Sequence, residues 1–155
     1  MLKVSKLTDY GIGLMTCLAR KGTTEPITAR DLSNEMGLPL PTVSKVLKLL
    51  SGGALLASTR GATGGYSLAR NADQISLAQM FTALEGPVAV TACASSEGSC
   101  CELETTCGLK PNWNWINRQL LYTLENITLQ HMAGSIAREL KHFPVPAAPG
   151  QRAVV

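Results

Sequence analysis

The chain has 155 residues, 45% of them apolar, and a formal net charge of +3. This is enough for one folded domain with an appended arm, and no apolar run approaches the ~18 residues of a membrane span. The charge is unevenly divided: residues 1–70 hold nine Lys/Arg against four Asp/Glu and residues 71–155 five against seven, so the amino-terminal half is the one suited to a polyanion.

The opening MLKVSKLTDYGIG carries charges, Asp9 among them, where a signal peptide needs its apolar centre, and a cytoplasmic protein is expected. Leu7, Tyr10, Leu14 and Leu18 then recur at spacings of three and four, which predicts a helix over 7–20. Gly11 and Gly13 weaken it by about 1 kcal/mol each relative to alanine. Cys17 reads as a small packing residue of that helix.

Residues 28–50, TARDLSNEMGLPLPTVSKVLKLL, predict a helix-turn-helix. Thr28 caps a short helix ending at Met36, and Gly37 supplies the positive φ of the turn. A second helix starts near Pro41 or Thr42 and buries Val43, Val46, Leu47 and Leu50. Its other face presents Thr42, Ser44, Lys45 and Lys48, small donors and cations suited to base edges and phosphates. The rival reading is an ordinary helical hairpin with a solvated lysine face. The next segment, LLASTRGATGGYSLAR at 55–70, places two short extended runs around a glycine-rich tip, the pattern of a β-hairpin. No GK[ST] ends the loop and a strand follows it, so a phosphate-cradling loop is excluded. A hairpin after a recognition helix is the wing of a winged helix, with Arg60 at its tip facing a minor groove.

Ser76 caps a helix carrying Leu77, Met80, Phe81 and Leu84, closed by Gly86-Pro87. Four of the five cysteines follow, within residues 93–107. In a reducing compartment such a cluster favours metal or redox work over structural disulfides. The paired Cys-x2–4-Cys knuckles of structural zinc are absent. The spacings Cys93-x7-Cys101 and Cys101-x5-Cys107, in a loop of Ala, Ser and Gly, suit the varied thiolate spacing of iron–sulfur clusters. A thiol enzyme would need a base, and the loop has neither a histidine nor a Cys-x-x-Cys motif. After the loop, Trp113, Ile116, Leu120, Leu124, Ile127 and His131 form one apolar stripe. Continued to Lys141, this predicts about 30 residues and about 45 Å of helix, interrupted at most at Gly134, whose seam packs on a twin. The trailing FPVPAAPGQRAVV has the composition of a disordered tail.

LTDYG at 7–11, the helix-turn-helix, S-x-RGxxGGY at 58–66, ISLAQMFTALEG at 75–86 and the cysteine loop together resemble the IscR/NsrR family of bacterial regulators over roughly residues 1–135. LTDYG with LPTVSKVLKLL is most similar to the branch that regulates SUF iron–sulfur assembly. The resemblance implies a mainly α fold with a small β-hairpin wing. It divides the chain into a winged helix-turn-helix DNA-binding domain at 1–87, a cluster-binding loop at 88–111, a dimerisation helix at 112–141 and a tail at 142–155. It implies a homodimer on a palindromic double-stranded operator, with no membrane and no small-molecule substrate. Thr28, Pro41, Thr42, Ser44, Lys45, Lys48, Ser58 and Arg60 would contact the DNA. Cys93, Cys101 and Cys107 would hold an iron–sulfur cluster, 2Fe–2S or 4Fe–4S, with Cys100 as a non-ligand neighbour, though exchange of Cys100 and Cys101 is the competing assignment. Many members carry a histidine ligand where Lys110 stands here. Others use an acidic residue of the partner subunit, and Asp9 is at the matching place, where it also reads as an ordinary first-turn helix residue. The remaining alternatives are a metal-free thiol-switch regulator and a thiol redox enzyme.

Overall fold

The computed structural model describes residues 3–22, 25–61, 64–94 and 106–134. In order these form α1 (Lys6–Lys21), α2 (Ala29–Met36), α3 (Leu40–Gly52), β1 (Leu56–Thr59), β2 (Gly65–Leu68), α4 (Leu77–Glu85), α5 (Lys110–Asn126) and α6 (Leu129–Ala133). Short 3₁₀ turns occupy Ala72–Gln74 and Ala92–Ala94. No helix among the described residues is long and apolar enough to cross a membrane. Cys100, Cys101 and the expected tail lie outside the described residues.

Local chemistry places both ends of α2 and the start of α4 where the sequence predicts them. Thr28 Oγ1 accepts from the Asp31 N–H and caps α2. Gly37 ends α2 in the left-handed conformation (φ 64°). Ser33 closes the same turn, its hydroxyl donating to the Leu38 carbonyl at 2.6 Å. Ser76 and Gln79 form a reciprocal capping box at the start of α4. Val43, Val46, Leu47 and Leu50 of α3 are fully buried, joined by Leu14, Met15, Leu32, Leu55, Ile75 and Met80. Each such side chain contributes about 1.5–3 kcal/mol relative to its exposed state. β1 and β2 pair antiparallel, with Leu56 opposite Leu68 and Thr59 opposite Gly65.

Helix α1 buries Thr8, Gly11, Leu14, Met15 and Leu18. Tyr10 lies off that face, and Gly11 takes the place expected for it. A Cβ at Gly11 would stand 2.5 Å from Leu84 Cδ1, so the glycine that weakens the isolated helix is what lets α1 cross close to α4.

The expected continuous helix from residue 112 to 141 is a correction. α5 stops at Asn126, and Thr128 is extended and begins α6 with its own capping box, its hydroxyl accepting from the His131 N–H. The break is stabilised from outside the segment. Ile127 O accepts from the Leu77 N–H at 2.7 Å, and the Leu129 N–H donates to Ile75 O at 2.8 Å. The first bond satisfies one of α4's otherwise unpaired N-terminal donors. The turn also directs Leu129 into the amino-terminal core, where it is fully buried. His131 accepts the Thr128 N–H at Nδ1. Arg20 Nε donates to Ala133 O at 3.0 Å and ties α1 to the end of α6.

Glu85, the last residue of α4, accepts hydrogen bonds from Ser5 and Thr8 at the start of α1, and these hold its carboxyl below the usual carboxylate range. A carboxyl depressed in the folded state contributes stability that is present above its unfolded pKa and lost as pH falls through the folded value. Denaturant titrations from neutral to acid pH should therefore show Glu85→Gln less stable than the parent at neutral pH, the gap closing below the carboxylate range. A gap that is constant with pH counts against this contact.

Candidate nucleic-acid interface and cysteine site

The eight sequence-predicted DNA contacts fall into two groups. Thr28, Lys48, Ser58 and Arg60 line one cleft of about 530 Å³, together with Ser51, Gly64, Gly65 and Tyr66. The cleft forms because β2 lies beside the segment entering α2: Ile27 and Tyr66 exchange two backbone hydrogen bonds of 2.9 and 2.8 Å. It therefore joins the N-terminus of α2, the C-terminal half of α3 and the wing. Lys48 and Arg60 bring two cations to the cleft, and Ser58 and Thr59 bring hydroxyls, which gives its wall anion-binding chemistry; the Thr28 hydroxyl is engaged in the α2 cap, donating to Asp31 Oδ2 at 2.6 Å. Pro41, Thr42, Ser44 and Lys45 lie outside the cleft on the first turns of α3; Pro41 and Lys45 are exposed and Thr42 and Ser44 half-buried. Helix α3 starts at Leu40, which is 36% exposed beside Pro41. Sequence periodicity missed Leu40 because an apolar residue at a helix start reads as core.

Cys93 and Cys107 are free thiols, both half-buried. Cys93 sits in the Ala92–Ala94 turn, with Thr91 Oγ1 3.3 Å from its Sγ. Cys107 precedes α5, its carbonyl accepting from the Lys110 N–H at 3.3 Å. Cys101 is outside the described residues, and no group of three metal-ligating side chains occurs among those described. Asp9 is exposed on α1 and lines a different groove, with Cys17, Arg20, Glu35 and Met132. Cys17 packs against the core; burial first, then Glu35, pushes its thiol pKa up. It is thus less available as a thiolate, in keeping with a packing residue.

One residue near the cysteines is absent from the sequence reading. Asn117 of α5 is only 6% exposed and, with Thr8, is one of two buried polar residues among those described. Its partners lie 27 and 23 residues upstream, so no local spacing announces it. Around it α5 inverts the usual pattern: Leu109 at its cap is 59% exposed, Trp113 38%, Ile116 40% and Tyr122 44%.

A family described as Rrf2, iron-dependent transcriptional regulator, matches residues 4–135. The chain is 28% identical over 134 residues to the HTH-type transcriptional regulator IscR of Serratia proteamaculans, covering 86% of this chain and 80% of that one. Among solved structures it is similar to CymR, the global cysteine regulator of B. subtilis (TM-score 0.68, 26% identity, 86% of this chain and 97% of that one). It is also similar to T. potens IscR (TM-score 0.64, 26% identity, 96% and 94%). The mainly helical fold with one antiparallel hairpin is that of these winged-helix regulators. The chain belongs to the Rrf2 family and is a DNA-binding transcriptional regulator rather than an enzyme.

Proposed function

We propose that this protein is a cytoplasmic homodimeric regulator whose operator binding responds to an iron–sulfur cluster, and that it controls SUF iron–sulfur assembly genes. The observation that carries the DNA part is the convergence of Thr28, Lys48, Ser58 and Arg60 on one cleft beside α3. In this reading α3 enters a major groove with Leu40, Pro41, Thr42 and Ser44 foremost, apolar and hydroxyl groups that suit thymine methyls and base edges. Lys45 and Lys48 hold phosphates, while Arg60 reads minor-groove width. The exposed apolar strip Leu109, Trp113, Ile116 supports a second copy packed on α5. Two recognition helices about 34 Å apart then require an imperfect palindrome.

The donor set fits a cluster. Cys93 and Cys107 are free, half-buried cysteines, and thiolate is the donor that iron–sulfur clusters take. Cys93, Cys101 and Cys107 would hold it, with Asp9 of the partner subunit as fourth ligand. The resemblance of LTDYG and LPTVSKVLKLL to the SUF branch supports the target genes. A cluster can shift operator affinity only by its differential affinity for the two dimer states, typically ~1–3 kcal/mol. Anaerobic purification, visible spectroscopy and operator titration of holo and apo protein test the reading. Visible charge-transfer absorption with separated binding curves is expected; a colourless full-length protein, or coincident curves on every SUF promoter, overturns it.

Lys48→Ala should weaken binding across all sequences and flatten the log–log salt dependence by roughly one unit. An unchanged affinity and slope would make Lys48 a solvated residue.

A further inference from the structure

We propose that Asn117 is the positioning residue that presents the Cys93 thiol, a role resting on the cluster reading above. Its Oδ1 accepts from the Val90 N–H at 3.1 Å, and its Nδ2 donates to the Ala94 carbonyl at 3.4 Å. The two bonds bracket the short turn that carries Cys93. The turn is closed on itself by the Ala94 N–H donating to Thr91 O at 3.0 Å. The thiol therefore sits on a five-residue segment, 90–94, pinned at both ends to one side chain of α5.

The residue type follows from the geometry. A donor and an acceptor on separate atoms of one short, planar group are needed, and a carboxamide supplies both without titrating. Aspartate keeps the acceptor and loses the donor; alanine loses both and leaves the part-buried Val90 N–H and Ala94 carbonyl without this partner. Asparagine is also an indifferent helix former, so neither propensity nor apolar packing explains it in the middle of α5. Through these two bonds Asn117 ties α5 to the cysteine segment. Fixing one ligand before the ligand set closes reduces the ordering that metal uptake must supply.

Two readouts on the full-length protein test this. In the apo form, alkylation of Cys93 by iodoacetamide is followed by mass spectrometry, with Cys17 as internal control. In protein reconstituted anaerobically with iron and sulfide, loss of visible absorption to a chelator is timed. Asn117→Ala should speed both by about tenfold while Cys17 alkylation is unchanged, and Asn117→Asp should fall between alanine and the parent. Parental rates in both variants overturn the proposal, as does a parallel rise at Cys17, which marks general loosening. A parent protein that takes up no iron and sulfide instead overturns the cluster reading, an outcome read before any variant is made.

Discussion

Single Cys→Ala replacements at positions 93, 101 and 107 should each abolish the visible chromophore of anaerobically reconstituted protein, and Cys100→Ala should retain it. The expected effect is all-or-none because each thiolate is a covalent ligand, and an iron left with one water or thiol reductant in place of a protein ligand is open to loss and oxidation. The discrimination between the adjacent cysteines rests on alternation: neighbouring residues of an extended chain point to opposite sides, so both thiols face one iron site only with backbone strain. Cys101 keeps the five-residue spacing to Cys107 that the family resemblance supports. Iron and sulfide analysis with the visible spectrum decides it. Retention in Cys101→Ala with loss in Cys100→Ala would exchange the two assignments, and retention in all four variants would remove the loop from cluster binding altogether.

Gly65→Ala should damage both stability and operator binding in the DNA-binding half. A Cβ there would stand 2.6 Å from the Ile27 carbonyl oxygen, 2.7 Å from its carbon and 3.0 Å from its nitrogen. All three are backbone atoms of the segment that leads into Thr28, and they cannot rotate away as a side-chain end can. The added methyl must push β2 from Ile27 and break the two bonds that join Tyr66 to it. Overpacking of this kind costs about 1–3 kcal/mol, and the lost hydrogen bonds about 0.5–1.5 kcal/mol each. Because the same bridge holds Thr28 and Lys48 against Ser58 and Arg60, operator affinity should fall with stability. Gly52→Ala serves as the control, since a Cβ there meets nothing within 4 Å, and it should be close to neutral in both measurements. Denaturant unfolding and operator titration read the pair; equal behaviour of the two variants would show that β2 does not carry the cleft.

The parts of this molecule legible in its sequence are those whose causes lie within one helical turn. Thr28 and Ser76 cap helices by bonds to residues three positions on, and the spacing of Val43, Val46, Leu47 and Leu50 places them on one face. The hairpin is equally local, its strands set apart by a glycine-rich tip. Even the break after Asn126 has a local sign, Thr128 capping through His131, but a continuous apolar stripe conceals it.

What the sequence by itself determined about this protein is its family, its winged helix-turn-helix and the residues that offer charge or thiols. The tertiary structure alone decided which of them meet. Gly11 is a cost in an isolated helix and acquires a packing reason only once Leu84 lies against it. Ile127 leaves helical geometry because backbone groups of Ile75 and Leu77 stand ready to pair with its segment and a core place awaits Leu129. Asn117 acquires its role from Val90 and Ala94, and Arg60 joins Thr28 across 32 positions of chain. Periodicity and capping report interactions among residues up to four apart. Distances between elements depend on how whole faces pack, and no short-range pattern encodes them.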